Sequence, residues 1–315
     1  MIAGALVALG RGGRWRARRV RTAQRAAEIA KRTTVEAVAG ERAFRKEFAE
    51  LAGRLTPYIA VEEGGLIYFL PTRQKFGVGR FAKSGWKEHR HLERALAILE
   101  ELGVELPGAA FVDIGANIGT TTVPAVAKFG FTAAYAFEPE PENFRLLQIN
   151  LAANGLHDAV ELFNLAVSNR TGTGELALRP TSGGKHHLIG AWHLGQETLH
   201  VPLTTLDELV ADGRLDAETV GLLWLDIQGH ELEALEGART LLRRAIPIVM
   251  ELDQRQMSRA QIETLRDLLG EHYTGVIDLS RVRDEPHARP LSALEQIAQH
   301  HEGTYTDVLV FRSPA

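Results

Sequence analysis

The chain of 315 residues contains no cysteine. This absence excludes disulfides, cysteine nucleophiles and zinc sites built from thiolates, and it fits a reducing compartment. An excess of one charge is also missing, because 36 lysines and arginines oppose 40 acidic residues and the formal net charge is −4. Without an overall positive charge, we expect no nucleic-acid partner.

Long apolar runs are missing as well, since no stretch reaches the roughly 18 residues of a membrane span. The first ten residues are apolar, but basic residues follow them, whereas a secretory signal carries its basic residues in front. We therefore expect no export signal and a cytoplasmic protein. The apolar share of 45% and the charged share of 24% are ordinary for a folded chain, and the length suits about two domains.

Residues 1–55 are predicted to form a basic helical extension. Between residues 11 and 32, nine lysines or arginines occur with a single glutamate, and residues 14–52 contain no proline. This extension is interpreted either as a solvated basic helix or as a weak contact for a membrane surface or an acidic partner.

Residues 56–107 are predicted to form a small lead-in of strands and a helix that packs on the core. Gly64-Gly65 precedes a short strand, and glycines mixed with aromatic residues between Phe76 and Trp86 indicate tight turns. Apolar residues spaced three and four apart predict an amphipathic helix over 88–102. The aromatic segment either packs against a sheet edge or folds over a ligand.

Residues 108–315 alternate short apolar strands with helical stretches, which predicts an α/β domain with a parallel sheet covered on both faces. Strands are predicted over 110–114, 133–137, 160–167, 219–227, 246–252, 273–279 and 306–311. Helices are predicted over 118–129, 141–154, 231–242 and 258–269, with a weaker one over 291–299.

A glycine-containing turn follows the first strand of this domain. Gly115 and Gly119 let a ligand lie against bare backbone, as between the first strand and helix of nucleotide-binding folds. Asp113 precedes the first glycine by two residues, where it would repel a pyrophosphate but suit a cationic amino group. The pattern therefore favours a zwitterionic amino-acid cofactor, such as S-adenosylmethionine, over a dinucleotide.

Two further strand ends carry polar residues that are expected in the same crevice, because parallel strands end at one edge of a sheet. Glu138 follows the second strand, 25 residues after Asp113, where a carboxylate can accept both ribose hydroxyls. Asp226, Gln228 and His230 follow the fourth strand. The alternative is that these acids are helix caps or surface residues, with His230 in a first helical turn.

The stretch from Phe111 to about Leu252 resembles the FkbM-type S-adenosylmethionine-dependent methyltransferases. Five segments carry the resemblance: Val112–Gly119, Ala136–Asn143, Leu203–Asp207, Asp226–Glu231 and Leu235–Ala238. Looser similarity extends to the C-terminal strand and back to about Gly64, whereas residues 1–55 lie outside it. One departure is Gln228, where the family often has glutamate.

The resemblance implies a Rossmann-like class I methyltransferase fold, with a seven-stranded, mostly parallel sheet and an antiparallel last strand. It implies that the methionine part of the cofactor is bordered by Asp113, Gly115, Asn117 and Gly119. It further implies that Glu138 holds the ribose, that Asn143 supports that loop, and that Asn164 and Ala166 lie near the adenine. The implied activity is O-methylation of a hydroxyl on a sugar or natural product.

A base near the acceptor hydroxyl would help the transfer, because a neutral alcohol is a poor nucleophile. His230 is the first candidate, since an ordinary imidazole pKa of about 6.5 suits the task. Asp226 could orient His230 or the substrate, and Glu251 is a third candidate. Asp226, Glu251 and Asp253 could also supply oxygen ligands to magnesium. Their spacing is not diagnostic, so no metal site is predicted.

The segment 180–200 is interpreted as a lid or substrate-binding loop, because it combines Gly183-Gly184 with aromatic and imidazole side chains. Trp192, His187 and His193 are the candidate substrate contacts. The alternative is a mobile hairpin whose histidines occur by chance. For the whole chain, the remaining alternatives are a nucleotide-dependent oxidoreductase and a non-catalytic binding protein that keeps the fold.

Overall fold

The computed structural model describes residues 41–82, 86–106, 108–178, 187–188, 197–280 and 288–314. Most of the predicted basic extension therefore lies outside the described residues, and its proposed membrane or acidic partner stays a prediction. Trp192 and His193 also lie outside them, and of His187 only the backbone is described. Among the helices of these ranges, none combines the length and the apolar character that a membrane span requires.

The N-terminal part of the described chain is a helix, a hairpin and two more helices. These elements are α1 (Glu41–Ala52), β1 (Tyr58–Glu63), β2 (Leu66–Pro71), α2 (Lys75–Phe81) and α3 (Lys87–Glu101). Strands β1 and β2 pair in antiparallel register, and α3 is amphipathic as predicted.

The tight turns predicted between Phe76 and Trp86 are wrong for residues 75–81, which form helix α2. A β-carbon on Gly77 would lie 1.8 Å from the carbonyl oxygen of Pro71, so this glycine lets α2 lie directly against β2. Glycine in a helix is unfavourable by itself, and here the close contact with another element overrides that preference.

The described residues that follow form the strands β3 (Ala110–Ile114), β4 (Ala133–Phe137), β5 (Val160–Phe163), β6 (Ala166–Val167), β7 (Gly172–Ala177), β8 (His187–Leu188), β9 (Thr198–Thr204), β10 (Val220–Leu225), β11 (Ile248–Asp253), β12 (Gly275–Asp278), β13 (Arg289–Pro290) and β14 (Tyr305–Phe311). The helices between them are α4 (Thr122–Lys128), α5 (Pro141–Ala153), α6 (Leu206–Ala211), α7 (Glu231–Glu236), α8 (Arg239–Arg243), α9 (Arg259–Gly270) and α10 (Leu294–His300).

The main sheet has the strand order β13-β12-β14-β11-β10-β3-β4-β5. Strands β5, β4, β3, β10 and β11 pair in parallel, and β14 runs antiparallel to both β11 and β12. This is the seven-stranded arrangement that the resemblance implies, and β13 adds a two-residue eighth strand at one edge. A second sheet of order β6-β9-β7-β8 lies outside it.

The core lies on both faces of the main sheet, because β3, β10 and β11 are buried along their whole length. Adjacent residues of a strand point to opposite faces. One apolar cluster accordingly contains Val112, Leu223 and Met250, and the other contains Phe111, Trp224 and Val249. The sheet is therefore a rigid platform for whatever lies at its carboxyl edge.

Two predicted elements are divided in the structure. The strand predicted over 160–167 becomes β5 and β6, which belong to different sheets. The helix predicted over 231–242 becomes α7 and α8, with Gly237 between them. A β-carbon on Gly237 would lie 2.2 Å from the carbonyl oxygen of Ser168, so the chain turns at this close contact.

Candidate functional site

A cavity that opens to solvent lies at the carboxyl ends of β3, β4 and β10. Ligands of open α/β sheets bind at this edge. Seven of the predicted site residues line the cavity: Gly115, Asn117, Glu138, Asn143, Ala166, Asp226 and His230. We call it the first cavity.

The turn after β3 contains residues with positive φ, a backbone conformation that glycine adopts more easily than any other residue. Gly115 and Gly119 both have φ of +88°, and Asn117 has φ of +53°. A β-carbon on Gly115 would lie 2.3 Å from the carbonyl oxygen of Asp226. The amides of Gly115 and Ala116 both donate to the carbonyl oxygen of Phe137, at 3.0 and 2.9 Å. The turn is thus fixed against both neighbouring strand ends.

The carboxylate of Glu138 is held in the wall of the first cavity. It accepts hydrogen bonds from the backbone amides of Asn117 (2.9 Å) and Glu140 (2.8 Å), and from the Asn143 side chain. Burial raises the pKa of Glu138 to about 8. The side-chain amide of Asn164 donates to the carbonyl oxygen of Glu138 at 2.8 Å, so it supports this loop from behind.

Asp113 lies beneath the turn, fully buried, rather than in the lining of the cavity. Its Oδ2 accepts a hydrogen bond from the Thr122 hydroxyl at 2.5 Å, and its Oδ1 has no hydrogen-bond partner among the described residues. Burial raises the pKa of Asp113 to about 7. Gly119 also lies away from the described lining, and a β-carbon on it would lie 2.8 Å from the Leu147 side chain.

A second cavity, also open to solvent, lies on the other side of the same turn. It shares four lining residues with the first: Gly115, Asn117, Asp226 and Gln228. Thr120 and Thr121 before α4 and Arg255 after β11 also line it, and the rest of its wall comes from α2, the first turn of α3, the end of β11 and the start of β14. Those elements contribute Phe76, Arg80, Lys87, Glu88, Glu251 and Tyr305.

Two carboxylates meet in the second cavity through one amide. The Nε2 of Gln228 donates to Asp226 Oδ1 at 2.8 Å and to Glu251 Oε2 at 2.7 Å. Burial, with the nearby Asp307, raises the pKa of Asp226 to about 6. Burial and the charge of Asp226 raise the pKa of Glu251 to about 10. Asp226, which borders both cavities, is therefore the more readily ionised member of the pair.

His230 stands apart from these carboxylates. Its Nε2 lies 2.9 Å from the Ser168 hydroxyl oxygen, and its Nδ1 lies 3.6 Å from a carboxylate oxygen of Glu233. Burial lowers the pKa of His230. It borders the first cavity, and it is not among the described residues that line the second. Of the three predicted catalytic residues, the structure thus brings Asp226 and Glu251 together and places His230 apart from them.

The loop that carries these residues is held by Glu231. Its Oε1 accepts hydrogen bonds from the backbone amides of Ile227 (3.1 Å) and Gly229 (3.3 Å). The side chain is almost completely buried, and burial raises the pKa of Glu231 to about 8.

The basic residues of the second cavity are all ion-paired. Arg80 forms a bidentate pair with Glu88, Lys87 lies 2.5 Å from Asp307, and Arg255 lies 2.5 Å from Asp253.

Within the described ranges, no three His, Asp or Glu side chains are grouped to hold a metal ion, and Asp253 is occupied by Arg255.

Sequence reasoning missed Arg80, Lys87 and Tyr305 as site residues. They lie far from the glycine turn along the chain, and no motif surrounds them. The one signal in the sequence is the aromatic segment at 76–86. Folding over a ligand is one of its two interpretations, and packing against a sheet edge is the other.

Comparison with known proteins gives a consistent set of similarities. A family model described as the methyltransferase FkbM domain matches residues 113–279. The 2-O-methyltransferase NoeI of Sinorhizobium fredii is 24% identical over 267 residues, covering 79% of this chain and 96% of that protein. The hexuronic acid methyltransferase AglP of Haloferax volcanii is 27% identical over 141 residues, covering 44% and 54%.

A solved structure is also similar, that of a methyltransferase FkbM from Methylobacillus flagellatus. It has 16% sequence identity and a TM-score of 0.41, and the match covers 65% of this chain and 44% of that one. The family match contains the whole described lining of the first cavity, whereas Phe76, Arg80, Lys87, Glu88 and Tyr305 of the second lie outside it.

Proposed function

The chain belongs to the FkbM methyltransferase family, and on that premise we propose that it transfers a methyl group from S-adenosylmethionine to a hydroxyl of a sugar or natural product. The names of two relatives, a 2-O-methyltransferase and a hexuronic acid methyltransferase, support a sugar hydroxyl. The observation that carries the proposal is the meeting of two cavities at Asp226, one suited to each reactant.

The first cavity fits the cofactor by its donor and acceptor groups. Glu138 offers a carboxylate to a ribose diol, and its orientation is fixed by two backbone amides. Leu165, Ala166 and Ile227 offer an apolar wall for a flat base. The unpaired oxygen of Asp113 beneath the turn adds negative potential below a cationic amino acid. When bound there, S-adenosylmethionine supplies a methyl group on positively charged sulfur.

The second cavity is the proposed acceptor site, and Asp226 is the proposed base. Its carboxylate accepts the proton of the acceptor hydroxyl at an Oδ atom, a role worth about a hundredfold or more in rate. Gln228 holds Asp226 and Glu251 in fixed positions. Holding the acceptor oxygen in line is worth up to roughly 7–11 kcal/mol in ideal cases. The base role predicted for His230 is retained as the competing assignment.

Calorimetry with the full chain tests the cofactor site. We expect S-adenosylmethionine and S-adenosylhomocysteine to bind and NAD not to bind. Glu138→Gln should weaken both by about tenfold or more, because it replaces the carboxyl group that faces the diol with an amide, which has one acceptor oxygen in place of two. Glu161→Gln, an exposed change on the neighbouring strand, should leave affinity unchanged.

Mass spectrometry then tests for the gain of one methyl group on sugars and polyketide-like alcohols. Failure of the full chain to bind either adenosyl compound would overturn the proposal, and binding of NAD in their place would favour an oxidoreductase. Tight cofactor binding without turnover on any acceptor would favour a non-catalytic binding protein.

A further inference from the structure

The second cavity, proposed above as the acceptor site, has a charge balance that bears on which acceptor it takes. The three cations among its described lining residues, Arg80, Lys87 and Arg255, each face a carboxylate of their own. Those partners are Glu88, Asp307 and Asp253. A cation already paired with a carboxylate offers much less attraction to a second anion. The described basic residues of the wall therefore leave little positive charge for a ligand.

Two more carboxylates line the same cavity. Asp226 and Glu251 are bridged by the amide of Gln228, which is neutral and cannot cancel a negative charge. Glu251, with its pKa raised to about 10, is protonated at neutral pH and adds no positive charge, whereas Asp226 is ionised. A ligand carboxylate placed here would meet the charge of Asp226 in a partly desolvated space, which is unfavourable. The described lining thus disfavours an anionic acceptor.

The ion pair between Arg80 and Glu88 is held in place by aromatic residues of the lead-in, residues 56–107. The Arg80 guanidinium lies 5.1 Å from the ring centroid of Phe76 and 5.3 Å from that of Trp86. The Trp86 indole nitrogen donates to the Arg80 carbonyl oxygen at 3.2 Å. Burial opposes ionisation of Glu88, but Arg80 outweighs it and lowers the pKa of Glu88 to about 2. Glu88 is therefore ionised at neutral pH, and Arg80 stays paired with it.

Hydroxyl groups suit this wall, because each can donate to a carboxylate and accept from a guanidinium or ammonium group. The cavity also presents the rings of Phe76 and Tyr305, against which the C–H face of a sugar can pack. Resting on the proposed methyltransferase function, we infer that the second cavity takes an uncharged, polyhydroxylated sugar ring and discriminates against the same ring bearing a carboxylate.

Matched sugar pairs test the inference on the full chain saturated with S-adenosylhomocysteine. The methyl glycosides of glucose, galactose and mannose are compared with those of glucuronic, galacturonic and mannuronic acid, so that each pair differs only at C6. Saturation-transfer NMR and calorimetry measure binding, and mass spectrometry with S-adenosylmethionine measures transfer. In at least one pair the neutral member should bind about tenfold or more tighter than the acid, and should be methylated.

Equal or tighter binding of the acids would overturn the inference, and so would binding of no member of any pair. Both results leave the proposed function standing as long as the adenosyl compounds bind. Loss of adenosyl binding would instead overturn the proposed function itself.

Two variants that leave a cation of the wall without its carboxylate partner provide a second test. Glu88→Gln and Asp253→Asn should each shift the ratio of acid to neutral binding toward the acid by about tenfold, because Arg80 or Arg255 then lacks its anion. Glu218→Gln neutralises the carboxylate partner of Arg244, outside the cavity, and should leave the ratio unchanged. If Glu88→Gln does not fold, Asp253→Asn still provides the test, because the cation that it leaves unpaired, Arg255, is partly exposed to solvent. An unchanged ratio in the folded variants would contradict the inference.

Discussion

Asp226 borders both cavities, whereas His230 borders only the first of them among the described residues. If Asp226 is the base, Asp226→Asn should lower kcat by about a hundredfold or more, with cofactor affinity changed little. His230→Ala should chiefly weaken cofactor binding, because it removes a group from the wall of the first cavity. Steady-state kinetics and calorimetry on both variants separate the two assignments.

The pH dependence adds a second measurement on the same residue. A base must be ionised to accept a proton, and burial raises the pKa of Asp226 to about 6. In the unaltered chain, kcat should therefore fall as the pH drops through about 6, and Asp226→Asn should abolish that limb. A hundredfold loss in His230→Ala, with Asp226→Asn nearly normal, would return the role to His230.

Single residues differ in how far the sequence predicts them. Gly115, Glu138 and Asp226 are predictable because each lies in a contiguous motif at a strand end. The sequence also places His230 in the correct loop, but not the side of the glycine turn that its ring faces. Arg80 and Tyr305 are not predictable, because only the packing of α2 and the reversed direction of β14 bring them to the site.

Among the elements, the short helix α8 depends on a residue far from it in sequence. The Asp207 carboxylate accepts hydrogen bonds from the backbone amides of Arg239 (2.9 Å) and Thr240 (2.7 Å) at the start of α8. The Asp207 amide donates to the carbonyl oxygen of Gly237. Asp207, in the first turn of α6, thus joins α6 to the break between α7 and α8.

Asp207→Ala should lower the free energy of unfolding by about 1–2 kcal/mol, as the loss of a helix cap does. Urea denaturation measures it. Asp212→Ala, at an exposed position at the end of α6, is the matched control and should cost much less. Equal effects of the two changes would show that the cap contributes little.

The divided elements show where local sequence patterns stop being informative. Residues 231–242 have the periodicity of one helix, and residues 160–167 the apolar character of one strand. What divides the helix is the contact between Gly237 and the Ser168 carbonyl, two residues 69 positions apart in the chain. A contact of that kind leaves no trace in a window of ten or fifteen residues.

For the whole molecule, buried carboxylates link stability to pH. Burial raises the pKa of Glu138 and Glu231 to about 8 and that of Glu251 to about 10, all above the ordinary value of 4.5. Between these values the folded state holds protons that the unfolded chain has lost, so stability falls as pH rises. His89 and His230 have lowered pKa values and act in the opposite direction, but only near and below 6.5.

We therefore expect the melting temperature to fall between about pH 7 and pH 9, each such group contributing up to about 1.4 kcal/mol per pH unit. Glu231→Gln should flatten that slope, because it removes one of the titrating groups. Glu218→Gln, at an exposed pair, should not change it. Scanning calorimetry across this range measures both, and a melting temperature that rises with pH would contradict the expectation.

The overall architecture was the most predictable level. The alternation of strands and helices indicates a parallel sheet, and the resemblance adds the antiparallel last strand, which β14 provides. The lead-in was less predictable, because α2 contains glycines that favour turns and becomes helical only against β2.

The two cavities are lined by different parts of the chain. The described wall of the first comes entirely from residues 114–230, whereas the second also recruits residues 76–88 upstream and 251–305 downstream. Under the assignment of the cavities proposed above, substitutions in those flanks can change the methyl acceptor while the lining of the first cavity stays intact. Acceptor specificity and cofactor binding would then respond to substitutions in separate parts of the chain.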